Sequence, residues 1–265
     1  MYNKFQLALK YIHYYVTAAN GKGHGVHSPF VFNFITNVLN DKRAFYAFSN
    51  IEYIREQLLH SDDVIEVQDF GAGSSVMQQK TRKISDIAKW SLKPRKYAQL
   101  LFRMVNYYQP KTIVELGTSL GITTAYLASA NRNAAVYSFE GADTIAERAQ
   151  AFFNKSGLQN IQLIKGNFDN TFLPALRRIN EVDFAFIDGN HRKEPTLRYF
   201  NQLLPYLHNN AIVILDDIHW SREMEEAWNA IKLLDCVTCS IDLFFIGIVL
   251  ISKDFKAKQH FAVRF

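Results

Sequence analysis

A chain of 265 residues that is 48% hydrophobic and 21% charged can bury one large core, or one core and a smaller module. No apolar run reaches the ~18–20 residues that span a bilayer, and Met1-Tyr-Asn-Lys-Phe-Gln lacks the apolar stretch and cleavage site of a signal peptide, so a soluble cytoplasmic protein is expected. The net charge of +5 is uneven: residues 1–110 hold 14 Lys/Arg against 8 Asp/Glu, residues 111–265 hold 16 against 17. A basic first part can attract an anionic partner such as nucleic acid. Surfaces with this excess are ordinary and no nucleic-acid motif accompanies it, so a solvated face is the preferred reading.

In chain order, Lys4 to Ala19 has helical spacing and carries Phe5, Tyr11, Tyr14 and Tyr15. A loop follows, Asn20-Gly-Lys-Gly-His-Gly-Val-His-Ser-Pro29, containing His24 and His27. It reads as a connector rather than a lid. Ser28 and Pro29 suit the N-cap and first position of a helix over Phe30 to Leu39. Further helices are expected near 50–60 and over Lys96 to Tyr108, so residues 1–110 form a mainly helical extension. Residues 111–265 form the second domain. Strands at 112–116, 134–139, 161–165, 183–187 and 210–215 alternate with helical segments at 121–131, 143–157, 169–179 and 191–207. This alternation implies a parallel sheet with helices on both faces. A helix at 221–234 precedes two apolar runs, 236–243 and 245–252, joined too closely for a crossover. They pair antiparallel, as a hairpin. Leu243 to Leu250 is expected in the core, with a share in a homodimer face. Cys236 and Cys239 have C-x-x-C spacing, but no second pair completes a metal site, and ordinary thiols on a strand are expected.

The stretch Thr112-Ile-Val-Glu-Leu-Gly-Thr-Ser-Leu-Gly-Ile is an apolar strand ending in Glu115, a glycine turn from Gly117 to Gly121, and a helix start. Such a junction presents backbone N–H groups and a positive helix end to a ligand. Ser119 stands where the Gly-x-Gly-x-x-Gly of dinucleotide binders needs glycine. The order acid-x-Gly-x-x-x-Gly instead resembles the first motif of class I S-adenosylmethionine (SAM) dependent methyltransferases. A similar stretch, Val67 to Ser74, lacks a following strand that ends in an acid. It is read as a structural turn or a loop over the active site. From Glu115, the next strand ends in Glu140, 25 residues on.

The resemblance covers roughly 110–252 and implies a Rossmann-like seven-stranded sheet, five parallel strands plus the antiparallel hairpin. It assigns cofactor contacts to Glu115, Gly117, Thr118, Ser119, Gly121 and Asp188, with Thr123 on the SAM carboxylate and Asp188 also catalytic beside His191. Glu140 would accept from the ribose hydroxyls. Asn167 would meet the adenine, although Gly-Asn after a strand is also turn chemistry. Asp188 follows the fourth strand, and Asp216 and Asp217 end the fifth. Three acids at strand ends on one sheet edge ask for a cation. They resemble the Mg²⁺ or Mn²⁺ ligands of catechol and caffeoyl-CoA type O-methyltransferases, with Asp217 where that pattern has Asn. Trp220 matches a recurring aromatic three residues further. Those enzymes carry a lysine base three residues beyond the first acid. Here His191 occupies that place, as a base or as a helix-start residue bonded to backbone. The implied activity is O-methylation of a small molecule. A metal-dependent hydroxylase-like enzyme and a non-catalytic SAM-binding protein are the alternatives. Neither a membrane nor a nucleic acid is an expected partner.

Overall fold

A computed structural model describes residues 1–67, 81–252, 255 and 257–265. The Gly71–Ser74 segment lies outside the described residues. Strands β3 to β10, defined below, make up an eight-stranded, mostly parallel sheet. The chain packs as two compact units, Lys42–Arg178 and Met1–Asp41 with Ile179–Phe265.

The first helices of the chain are α1 (Lys4–Thr17) and α2 (Pro29–Phe34), the latter continued by a π-helical turn, Ile35–Leu39. Asn3 and Gln6 close a reciprocal capping box on α1, which satisfies two N–H groups that a helix start otherwise leaves open. Pro29 takes the first position of α2 as expected, where its missing N–H costs nothing, but Ser28 makes no side-chain cap.

In the Lys42–Arg178 unit, α3 (Tyr46–Leu59) precedes a short antiparallel pair, β1 (Val64–Glu66) and β2 (Thr81–Lys83). Helix α4 (Ile84–Ser91) and helix α5 (Arg95–Tyr108) lead into β3 (Thr112–Leu116). Then come α6 (Ile122–Ala130), β4 (Ala135–Glu140), α7 (Asp143–Lys155), β5 (Ile161–Lys165) and α8 (Phe168–Ile179). The strands run parallel in the order β3-β4-β5, with Leu116 opposite Phe139 and Glu140 opposite Lys165. That register brings Glu140 one residue beyond the end of β3, beside the glycine turn. Helix α6 carries no charge and is buried almost all round, because α3 and α5 cover it with Phe48 and Phe102 stacked edge-on to Tyr126.

In the other unit, β6 (Val182–Ile187), α9 (Lys193–Leu203), a 3-10 turn (Leu204–Tyr206) and β7 (Leu207–Asp216) follow in turn. Helix α10 (Arg222–Leu233) leads to β8 (Cys239–Asp242), β9 (Ile246–Ile251) and β10 (Gln259–Ala262). Strands β6 and β7 are parallel, while β9 is antiparallel to both β7 and β8, the hairpin expected. The middle strands are apolar on both faces, as strands covered twice must be. The sequence reading ended the sheet at 252. Strand β10 adds an eighth, parallel to β8, with Gln259 N–H on the Thr238 carbonyl at 3.0 Å. Helix α1 rests here through Tyr11 and Tyr14 on Phe244 and through the Tyr14 hydroxyl on the Val263 carbonyl.

Cys236 lies in a turn before β8, not on the strand, and Cys239 is buried on it. Both are free thiols. Burial raises the Cys236 thiol and pushes Cys239 up to about 12, so neither is a reactive thiolate near neutrality. Among the described residues, no helix is long and apolar enough to cross a membrane.

Candidate active site

The turn after β3 is held open by its own backbone. Gly117 has φ +102°, Ser119 +48° and Gly121 +83°. The N–H groups of Gly117 and Thr118 both donate to the Phe139 carbonyl at 3.0 Å, and Gly121 N–H closes back on Thr118 O at 2.9 Å. Gly121 also needs its missing side chain, because a Cβ there would meet the Phe153 ring at 2.6 Å. Ser119 N–H, at the tip, donates to Glu140 Oε2 at 2.8 Å, and Ala142 N–H donates to Oε1 at 2.9 Å. The turn and the end of β4 therefore present one acidic, hydrogen-bonding corner.

Glu115 lies beneath this corner. It is fully buried, and its Oε2 accepts from Ser138 Oγ at 2.6 Å and from Thr124 Oγ1. Ser138 in turn meets Thr118 Oγ1 at 2.5 Å. Glu115 Oε1 has no hydrogen-bond partner among the described residues. Burial is the main cause that raises its pKa to about 7, the two hydroxyls hold it down, and the charge of Glu140 adds to the rise. The structure places Glu115 as a brace for the turn from inside. Thr123 stands in the first turn of α6, 8% exposed. Asn167 precedes α8, and its side-chain oxygen accepts from Asp169 N–H at 2.9 Å, the turn chemistry that Gly-Asn after a strand also implies.

Helix α4 is a contributor that the sequence reading did not find. Ser91 Oγ lies 2.7 Å from Ser119 Oγ. Ile84, Ile87 and Ala88 pack in one cluster with Leu120, Ala142 and Ile145, against the turn and the start of α7. The spacing Ile84, Ile87, Ala88 was the available signal, a helical stripe over a single short stretch.

In the other unit, Asp188 follows β6, His191 precedes α9 and Asp216 ends β7. One ligating atom from each lies within 4.8 Å of the others. His191 Nε2 stands 3.5 Å from Asp188 Oδ1. Asp216 is 1% exposed, while Asp188 and His191 are half-buried. The structure thus brings together Asp188, Asp216 and His191. Asp217 is not in this group. Its φ of +52° begins the turn after β7, and its carbonyl accepts from Trp220 N–H at 2.9 Å. Two carboxylates and an imidazole are donors that a divalent ion can accept, the carboxylates suiting Mg²⁺ or Mn²⁺ and the imidazole a softer first-row metal.

That same turn is clamped by a residue to which the sequence reading gave no role. His219 Nε2 lies 2.8 Å from Asp242 Oδ2, Nδ1 lies 2.9 Å from Glu225 Oε1, and the ring stacks on Phe244 at 5.1 Å. Glu225 also accepts from the Tyr2 hydroxyl at 2.7 Å and from Lys10 at 2.9 Å. Burial alone would lower the His219 pKa. Hydrogen bonds and charge from Asp242, then Glu225, outweigh it and raise the value. Only the fold reveals this clamp, since its members come from four separate elements.

Residues 114–218 match the family model of a methyltransferase domain. The matched stretch is 105 of the 265 residues. It begins within β3 and ends in the turn after Asp216, so it contains the glycine turn, Glu140 and the Asp188–His191–Asp216 group. An uncharacterized protein (R132) of Acanthamoeba polyphaga mimivirus is 29% identical over 133 residues, 45% of this chain. The chain spans 58% of that relative's length. Among solved structures, a Podospora anserina methyltransferase bound to S-adenosylhomocysteine is similar with TM-score 0.57 at 11% identity, covering 94% of this chain and 96% of that one. The O-methyltransferase TomG of Streptomyces achromogenes, solved with SAM, gives TM-score 0.55 at 15% identity over 84% and 95%. A Bacillus cereus O-methyltransferase with S-adenosylhomocysteine gives 0.51 at 17% over 83% and 97%. The fold thus has the Rossmann-like sheet expected, and β10 is the strand added to it.

Proposed function

We propose that this chain is a SAM-dependent O-methyltransferase acting on a small-molecule acceptor in the cytoplasm. The observation that carries the reading is Glu140. Its carboxylate ends β4 beside the backbone donors of the glycine turn, with Ser119 N–H at 2.8 Å, inside a methyltransferase domain. A carboxylate there accepts two hydroxyl donors at once, as the ribose diol requires. Gly117 to Gly121 would let the methionine part approach backbone, Thr123 would meet its carboxylate, and Asn167 the adenine.

Asp188, His191 and Asp216 would hold a divalent ion. Such an ion lowers the pKa of a coordinated acceptor hydroxyl. The closeness of the Asp188 and Asp216 carboxylates supports this, because two like charges held within 4.8 Å repel unless a cation lies between them. A second reading is metal-free, with His191 taking the acceptor proton and Asp188 holding the imidazolium. The 3.5 Å contact between the two favours it. In both, methyl transfer needs little acid catalysis, since a sulfonium leaves readily, and orientation supplies much of the acceleration. The mainly helical residues 1–110 would supply acceptor contacts.

Calorimetric titration with SAM, with and without Mn²⁺ or Mg²⁺, tests the assignment. Absence of SAM binding under every condition would refute it. Methyl transfer that ignores metal, in wild type and in Asp216→Ala alike, selects the metal-free reading.

A further inference from the structure

The outward face of α1 is apolar and lies open. Phe5, Leu9, Ile12, Tyr15 and Val16 are between 51% and 71% exposed, and they recur at helical spacing along one side. The opposite side is fixed to the body of the protein. Tyr14 and Ala18 are buried there with Phe244, and Leu7, Tyr11 and Phe245 pack on them. Lys10 and Tyr2 bond Glu225, and the Arg264 N–H meets the Ala19 carbonyl at 3.0 Å. The helix is therefore firmly seated, and its open stripe does not await docking on its own body. The hairpin expected to offer a dimer face does not offer one, because Leu243, Phe244, Ile246 and Ile248 are buried within the chain.

We propose that this face of α1 is a homodimer interface, occupied by α1 of a second copy. Three observations favour that occupant. The stripe is self-complementary: a two-fold axis between Leu9 and Ile12 sets Leu9 of each copy against Ile12 of the other, and Phe5 against Val16. The exposed side chains offer roughly 600 Å² per copy, the lower bound for a specific interface of ~1,200 Å² in total. The charge pattern suits a copy better than a lipid surface. An interfacial membrane helix carries a rim of Lys and Arg. Helix α1 has two lysines and no acid; Lys10 is bound to Glu225 at 2.9 Å and lies over the Tyr2 ring, and Arg264, at the rim of the stripe, is held over the Tyr15 ring. The inference is independent of the methyl-transfer reading.

Sedimentation equilibrium on the full chain tests it, with Leu9→Glu/Ile12→Glu as the disrupting variant. The expected result is a wild-type species of twice the 30.6 kDa chain mass, and a variant whose dimer dissociation constant rises by about 100-fold or more. Circular dichroism should stay at wild type, because the replaced side chains face outward within each copy, while the melting temperature falls only by the stability that dimerisation supplies. Should the double glutamate variant fold poorly, Phe5→Ser/Val16→Ser supplies the milder disruption. A monomeric wild type, or a dimer that neither variant weakens, would overturn the proposal. So would monomer that sediments with vesicles of mixed phosphatidylserine and phosphatidylcholine, the outcome of a membrane-binding helix.

Discussion

Ser119 donates its backbone N–H to Glu140 Oε2 at 2.8 Å, joining the tip of the glycine turn to the end of β4. One carboxylate thus shapes the turn and faces the place assigned to the ribose. Glu140→Ala removes both acceptors, and SAM affinity should fall by about 1.5–3 kcal/mol, the worth of charge-assisted hydrogen bonds. Glu140→Gln keeps one oxygen and should lose less. Calorimetry on the two variants, with circular dichroism to confirm folding, checks this. An alanine variant with wild-type affinity would reject the ribose placement.

Glu115 makes stability depend on pH. Its pKa rises from the ordinary 4.5 to about 7 on folding, chiefly through burial. The folded state therefore holds this proton more tightly than the unfolded one. The resulting stabilisation is complete below 4.5 and is lost as pH rises through about 7, by roughly 3 kcal/mol at most. Glu115→Gln removes the titration while keeping an acceptor for Ser138 and Thr124. Urea unfolding should show wild type losing stability relative to this variant between pH 5 and pH 8. Parallel profiles for the two proteins would show that Glu115 does not titrate in that window.

Much of this arrangement is legible in the sequence, for a physical reason. Strands β3 to β7 are runs rich in apolar residues, and helices α7, α8 and α9 carry amphipathic stripes, so periodicity separates them. The place of Glu140 at the end of β4 could be read because a parallel sheet sends successive strand ends to one edge. Asp217 could not be separated from Asp216 by pattern. The backbone turns at φ +52° immediately after β7, a local conformation that two adjacent aspartates do not announce. The roles of Ser91, His219 and Glu225 depend on contacts across long sequence separations, as between His219 and Asp242, 23 residues apart. Strand β10 was missed because Gln259-His-Phe-Ala262 is too short and polar to read as a strand without its neighbour β8.

The His219 clamp should also show in pH, with its own sign. Its folded pKa lies above the ordinary 6.5, raised by Asp242 and then Glu225 against the effect of burial. Its contribution is fully present below 6.5 and fades as pH rises through the folded value. His219→Asn should therefore destabilise more at pH 6 than at pH 9.5, by about 1–3 kcal/mol at the lower pH, where charged partners are left without a cation. Equilibrium unfolding of wild type and variant at both values measures the difference. An equal loss at both would assign His219 a packing role on Phe244 alone.

Gly121 and Gly157 separate two costs of adding a side chain. Both have positive φ, +83° and +64°, so alanine at either position pays the left-handed penalty of about 1–2 kcal/mol. A Cβ at Gly157 meets nothing within 4 Å, whereas at Gly121 it meets Phe153 Cε1 at 2.6 Å and Cζ at 2.8 Å. Phe153 is fully buried and packs against Phe152, so it has little room to yield. Gly121→Ala should thus cost roughly 1–3 kcal/mol more than Gly157→Ala, the price of overpacking. Chemical denaturation of the two single variants measures the excess. Adding Phe153→Leu to Gly121→Ala should cost less than Phe153→Leu alone in wild type, because the smaller side chain relieves the clash. Equal costs for the two alanines would mean that the turn moves as a body away from α7, and SAM affinity would then fall with it.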